Sequence, residues 1–257
     1  MRPNKVKRLW SEGKPVVTGW CATPDPYTTE VMVRAGFDAL ILDMQHGMAI
    51  GPDRAAVWLQ IVGQADTTPI VRVPWNDPIY IQWVLDAGAM GVIVPMINSV
   101  ADAKKAIGAC KYPPVGYRSN GGNRARLYGG PDYFDHANDE VLCILMMETV
   151  EGVECMEEIA KLPGVDGYYI GPTDLAISMG LPPKMDAPYP RHVEAVQRVI
   201  DVAKAHGQNA GIHVTGSEEG LRRWKQGFNL NPICYDIWLL TAGVNRNLAE
   251  FKAGLEG

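Results

Sequence analysis

The chain has 257 residues, 47% of them apolar and 21% charged, a balance that supports a sizeable core and excludes a disordered chain. A formal net charge of -5 gives no electrostatic reason to bind nucleic acid or an anionic membrane, both of which reward clustered Lys and Arg. The length is that of one α/β barrel with no composition break to mark a second domain, so a single domain over residues 1–257 working on small molecules is expected.

Met1 to Trp10 is basic through Arg2, Lys5, Lys7 and Arg8, but no apolar core or cleavage site of a secretion signal follows it. Asp, Pro or Gly interrupts every hydrophobic run before the roughly 18 residues that a membrane span needs. A cytoplasmic protein is expected. Five cysteines (Cys21, Cys110, Cys143, Cys155 and Cys234) form an odd set without C-x-x-C spacing, which argues against a disulfide framework and a structural zinc site.

Along the chain, short runs of β-branched and bulky apolar residues alternate with longer helix-period stretches, the pattern of βαβ units on a parallel sheet. Eight such runs predict strands: Val16 to Ala22, Asp38 to Met44, Pro69 to Val73, Gly91 to Met96, Leu142 to Met147, Val165 to Ile170, Asn209 to Val214, and a weaker one at Ile233 to Ile237. Helix starts are signalled at Pro52-Asp53, Asp77-Pro78, Ser99 and Ser217, and stops at Gly36, Gly63 and Gly88. Eight strands with intervening helices in this length favour a closed (β/α)8 TIM barrel over an open doubly wound sheet, which shares the same local pattern. One segment, Lys111 to Asp139, shows no clear helix or strand. It carries Pro113, Pro114, Arg118, Arg124 and Arg126 and reads as a long loop at about 111–139, either a functional lid, an oligomer contact or a solvated excursion.

Catalysis in a barrel sits at the carboxyl ends of the strands, so the polar residues that follow each apolar run are the candidates. Strand two runs into Asp43-Met44-Gln45-His46, strand three ends at Arg72 before Pro74-Trp75-Asn76-Asp77, strand five ends at Glu148-Thr149, and strand six runs into Gly171-Pro172-Thr173-Asp174. Glu148 and Asp174 fall after neighbouring strands, where two hard oxygen ligands can share Mg2+ or Mn2+, with Co2+ a third candidate, and leave coordination positions open. The alternative for either carboxylate is a helix N-cap or a salt bridge. Arg72 can hold an anionic substrate or stabilise an enolate, or form a rim salt bridge. His46 follows a strand end, where an imidazole can act as a base or orient a water. The turn Gly171, Pro172, Thr173, Asp174 offers backbone N-H groups to a substrate carboxylate. Trp20 and Trp75 can wall the pocket, although a large aromatic is packing by default. His213 reads as a core or rim residue, and His136, His192 and His206 as surface positions. No dinucleotide, nucleotide-phosphate or serine-hydrolase motif occurs, and no lysine stands at a strand end as a Schiff-base candidate would.

These residues resemble the HpcH/HpaI family of class II, metal-dependent 2-oxo-acid aldolases, of the 4-hydroxy-2-oxoheptanedioate aldolase type. The likeness runs over nearly the whole chain, and its most specific parts are Leu42-Asp43-Met44-Gln45-His46, Val71 to Asp77, Leu85-Asp86-Ala87-Gly88, Val94-Pro95-Met96, Met147-Glu148-Thr149 and Val165 to Leu175. The resemblance implies Glu148 and Asp174 as metal ligands, Arg72 as the enolate-stabilising arginine, His46 as part of the acid/base machinery, and the Thr173 and Asp174 amides as the carboxylate site. It also implies a catalytic part for Asp86, which lies near a helix end and would have to be supplied by a neighbouring subunit of a homo-oligomer, a trimer or hexamer. The implied partners are a small 2-oxo acid, pyruvate or hydroxypyruvate, and an aldehyde. Two positions depart from the type member, Gln45 for a glutamate and Met146 for a glutamine, and Ser119 to Arg126 differs from the segment thought to select the aldehyde. Other readings are a citrate-lyase-like enzyme acting on a coenzyme A ester, a phosphoenolpyruvate-type C-C or C-P enzyme, and a non-catalytic barrel serving as a binding module.

Overall fold

The computed structural model describes residues 1–48 and 51–255. Strands β1 (Val16–Cys21), β2 (Ala39–Asp43), β3 (Thr68–Arg72), β4 (Gly91–Val94), β5 (Leu142–Met147), β6 (Gly167–Ile170), β7 (Asn209–Ile212) and β8 (Leu230–Tyr235) form a closed parallel barrel in sequence order, and β8 pairs back onto β1. The helices are α1 (Lys5–Ser11), α2 (Pro26–Arg34), α3 (Pro52–Val62), α4 (Pro78–Asp86), α5 (Val100–Cys110), α6 (Asn123–Gly129), α7 (Tyr133–Glu140), α8 (Val150–Glu154), α9 (Met156–Ile159), α10 (Pro172–Ser178), α11 (Pro190–Ala205), α12 (Ser217–Gln226) and α13 (Asp236–Leu255). The fold is the single-domain (β/α)8 barrel that the alternation of strand and helix patterns predicts. No helix among the described residues is long and apolar enough to cross a membrane.

The two-residue period of a strand divides the core in two. Ala39 and Ile41, Ile70, Ile93, Leu142, Ile144 and Met146, Tyr169 and Leu230 fill the barrel interior. Their neighbours Leu40, Leu42, Val71, Val92, Cys143, Leu145 and Tyr168 pack outward against the helices. Helix α1 closes the amino end of the barrel: its fully buried Val6 joins the interior set, with Leu9 and Trp10 packed behind it. Asn4 starts that helix by accepting from the Val6 and Lys7 amides. Carried one step further, the inward parity assigns Asp43, Arg72, Glu148, Gly171 and His213 to the opposite, carboxyl end.

Helix starts follow their local chemistry. Asp77 accepts from Ile79 N at 2.8 Å before α4, and Ser99 caps α5 by accepting from Asp102 N at 3.1 Å. The segment expected to lack regular structure is a correction: residues 111–139 contain α6 and most of α7. Their few apolar residues give no readable stripe, and burial comes from contacts remote in sequence. Lys111, only 2% exposed, donates to Asn138 O at 2.9 Å and Val141 O at 2.6 Å and pairs with Asp166 at 2.9 Å, fastening both ends of the excursion. The last strand starts and ends earlier than expected, at Leu230–Tyr235, because Asn229-Leu230-Asn231-Pro232 reads as a turn in sequence yet pairs with β1. Asp236 and Ile237 already belong to α13, where Asp236 accepts from the Ala22 and Thr23 amides at 2.9 and 3.0 Å.

Candidate active site

The β2–β3 register sets Asp43 directly beside Arg72. Arg72 donates from Nε to Asp43 Oδ1 at 2.9 Å and from Nη2 to Oδ2 at 2.6 Å, a two-pronged charged pair. Asp43 is fully buried and also accepts from Trp20 Nε1 at 3.3 Å and from the Gln45 and His46 amides at 3.0 and 3.1 Å. Burial pushes its carboxyl up, but the charge and hydrogen bonds of Arg72 outweigh this and hold it below the usual carboxylate range. The arginine is thus fixed at the mouth by one carboxylate, and its guanidinium lies 4.8 Å over the Trp20 ring. The rim salt bridge and the substrate-facing role are compatible, because Nη1 stays free of Asp43.

Glu148 is 2% exposed, and its Oε1 accepts from Met96 N at 2.8 Å. Met96 takes a positive φ of 55°, a strained setting for a non-glycine residue, and this aims its amide at the carboxylate. Asp174 stands in the first turn of α10. Burial, with the nearby Asp174 charge adding to it, pushes Glu148 up to about 7, against the Met96 hydrogen bond and Arg72. Between them Gly171 lets the backbone approach: a Cβ there would come 2.5 Å from Glu148 Oε2 and 2.8 Å from Met146 Cε. Among the described residues no third His, Cys, Asp or Glu converges with the pair. Because Pro172 lacks an N-H and Leu175 N already donates to Gly171 O at 3.0 Å, the Thr173 and Asp174 amides are the free donors of this turn.

Arg72, Gly171, Thr173 and Asp174 border one cavity of about 320 Å³, whose lining also takes in Trp20, His46, Met146, Pro172, Met185, His213, Tyr235 and Trp238, while the buried Glu148 and Asp43 are not part of that lining. His46 is exposed there. A larger surface cleft of about 690 Å³, lined by residues such as Glu30, Arg34, Gln60 and Gln64, lies against the outer helices and gathers no comparable chemistry.

The remaining candidate residues are placed variously. Asp86 ends α4 and pairs with Arg118 at 2.8 Å; it lies outside the cavity, as its helix-end position implied. Arg118, buried between Tyr112 and Tyr133, and Arg124, which donates to Leu59 O at 3.0 Å, serve the local fold of the excursion. His192 is corrected from surface to core: it is 1% exposed, and its ring Nε2 stands 2.9 Å from Pro172 O, bracing the turn before Asp174. His213 belongs to the cavity itself, whereas Trp75 is 55% exposed and does not line it. The missed roles of Asp43 and His213 depend on register and on cross-barrel neighbours, which a linear pattern does not contain.

A model of the HpcH/HpaI aldolase/citrate lyase family matches residues 17–236, nearly the whole barrel and every residue named above as facing the cavity save Trp238. The chain belongs to this family. It is 35% identical over 250 residues to a hydroxypyruvate/pyruvate aldolase of Rhizorhabdus wittichii, covering 97% of this chain and 99% of that one. It is 32% identical over 252 residues to a 5-keto-4-deoxy-D-glucarate aldolase of Salmonella arizonae, with 97% of each covered. An HpcH/HpaI aldolase/citrate lyase family protein from Burkholderia cenocepacia has the same fold, with a TM-score of 0.89 at 29% identity, covering 97% and 99% of the two chains. Within this family, the aldolase-named relatives at 32–35% identity over nearly the full chain make the protein a class II aldolase, a carbon-carbon lyase.

Proposed function

We propose that the protein reversibly joins pyruvate or hydroxypyruvate to an aldehyde, giving a 4-hydroxy-2-oxo acid, with a divalent cation held by Glu148 and Asp174. The observation that carries this reading is the buried carboxylate of Glu148 with Asp174 nearby, beside a guanidinium already committed to Asp43, all at the carboxyl ends of the barrel strands. A hard cation between Glu148 and Asp174 would offset the burial that pushes Glu148 up, together with the lesser effect of the Asp174 charge, so the residues fit Mg2+, Mn2+ or Co2+. When bound, the cation supplies Lewis acidity toward the carboxylate and keto oxygens of a 2-oxo acid.

The side chains supply the rest. The Thr173 and Asp174 amides receive the carboxylate. Arg72, held in place by Asp43, donates from Nη1 to the keto oxygen as it gains negative charge. His46, exposed to the cavity, takes the proton from the carbon next to the keto group; the new C-C bond then forms to the aldehyde carbon, whose oxygen takes up a proton. In cleavage the same histidine removes the proton from the 4-hydroxyl. Trp20 floors the site beneath Arg72.

The protein is further proposed to be a cytoplasmic homo-oligomer, a trimer or hexamer, in which Asp86 acts at a neighbouring subunit's cavity. Its five unpaired cysteines suit a reducing compartment. Helix α13 leaves Leu239, Leu240, Val244, Leu248, Phe251 and Leu255 at least half exposed, while an apolar groove of about 300 Å³ by Val16, Leu221, Trp224 and Ile233 stands beside β1 and β8. A helix from a second copy is the complementary occupant.

The test measures pyruvate released from a 4-hydroxy-2-oxo acid, with and without chelator, in the wild type and in Glu148→Ala, Asp174→Ala and Arg72→Ala. Loss of release on chelation and in each variant is expected, and full activity after chelation would refute the reading.

A further inference from the structure

His213 is a polar side chain at the cavity for which the aldol steps above have no use. It follows β7, and its Nδ1 stands 3.0 Å from Tyr169 Oη. The ring is enclosed edge-on by Trp20 at 4.7 Å, Trp238 at 5.8 Å and Tyr235 at 5.9 Å between centroids. Burial, then the charge of Arg72, push its pKa down to about 3, with Asp43 opposing, so at neutral pH the ring carries one proton.

The location of that proton follows from donor and acceptor accounting. Tyr169 is fully buried, and burial pushes its phenol well up, so it keeps its hydrogen. Among the described residues His213 Nδ1 is the one acceptor within reach of that hydroxyl. Were the imidazole proton on Nδ1, the phenolic hydrogen would be buried without a partner, a cost comparable to a lost hydrogen bond. Tyr169 therefore donates to Nδ1, and the proton sits on Nε2. Nε2 has no protein partner among the described residues, nor is it one of the polar atoms sealed from solvent, so it opens on the cavity. The ring contacts both Trp20, 1% exposed, and Trp238, 41% exposed, and shares the cavity lining with Arg72.

We propose that His213 is a specificity-determining residue: its Nε2-H donates to a hydroxyl oxygen of the aldehyde substrate, while the surrounding aromatic rings pack on the C-H faces. The site thereby selects hydroxylated, sugar-like aldehydes over apolar ones of equal size, and Tyr169 is the positioning residue that fixes the tautomer. The inference rests on the aldolase reading, to which it adds the class of acceptor.

Glycolaldehyde and propanal, which differ by a hydroxyl for a methyl, test it with pyruvate as the common donor and the cation-loaded enzyme. The ratio of their kcat/KM values is measured in the wild type, His213→Phe, His213→Asn and Tyr169→Phe. The wild type should favour glycolaldehyde. The ratio should fall about tenfold in His213→Phe, the worth of one hydrogen bond, return in large part in His213→Asn, which keeps an N-H donor, and fall partway in Tyr169→Phe. An unchanged ratio in His213→Phe, or an equal fall for both aldehydes, overturns the proposal. Inactivity of the wild type with every aldehyde would defeat the aldolase reading instead. The imidazole 15N shifts then decide the present proposal alone: a neutral ring protonated at Nε2 and perturbed by glycolaldehyde but not propanal upholds it, and an Nδ1-protonated or cationic ring at pH 7 refutes it.

Discussion

Asp43 bears no role in the proton transfers, yet five donors converge on it. It sets Arg72 and the amides that lead into His46 at once. Asp43→Asn keeps the volume but weakens the two-pronged grip, so kcat/KM should fall about a hundredfold, in keeping with the cost of a misaligned electrostatic donor. Steady-state kinetics check this, and circular dichroism separates it from unfolding. His213 carries a pH prediction. The unfolded chain binds a proton there near 6.5, whereas the folded chain does so only near 3, so stability is full above 6.5 and is lost as pH falls through that window. Urea midpoints between pH 7 and pH 4 should drop less steeply in His213→Phe than in the wild type. At this scale the sequence exposes the strand-end residues Glu148, Asp174, Arg72 and His46, because polar residues after apolar runs stand out. It hides the Asp43–Arg72 and Tyr169–His213 pairings, since each needs the register between separate strands.

The elements hold the site from outside. Helix α11 contributes His192 to the carbonyl of Pro172, so the turn carrying Thr173 and Asp174 is braced by a residue from the following helix. Behind β5 and β6, Asp166 gathers Lys111, Lys7 at 2.6 Å and the Cys143 amide at 2.8 Å. Lys111→Met should leave that half-buried carboxylate with one cation fewer and the Asn138 and Val141 carbonyls without the Lys111 amine. A loss of about 3 kcal/mol is expected by the measure of broken buried pairs, read from chemical denaturation. Strands were legible because burial on both faces leaves short apolar runs bounded by Gly, Pro and polar residues. Helices α6 and α7 were not, because Gly121-Gly122 and Gly129-Gly130-Pro131 punctuate a polar stretch whose helices are held by Arg118, Arg124 and Lys111, contacts distant in the chain.

The whole molecule is a barrel with its chemistry at one end, a helical plug at the other, and a terminal helix that covers little of its own barrel. Exposed Leu240, Leu248 and Phe251 on α13 predict assembly. Light scattering should give a molar mass that is a multiple of the chain's, falling to a single chain in a Leu240→Glu, Leu248→Glu, Phe251→Glu variant; a monomeric wild type would contradict this. Closure of the barrel is legible from eight strand patterns in this length, while the direction of α13 is not, because an apolar helix reads alike whether it packs on its own barrel or on another. Glu148 and Asp174 are proposed to hold a cation that lets the site enolise a 2-oxo acid. Deuterium exchange into the methyl group of pyruvate, followed by NMR in heavy water, tests it without any aldehyde. Exchange should be rapid with Mg2+ or Mn2+ and should fall about a hundredfold or more with chelator, and likewise in Glu148→Ala and Asp174→Ala. Exchange that persists undiminished after chelation and in both variants would show that no cation held by Glu148 and Asp174 drives enolisation.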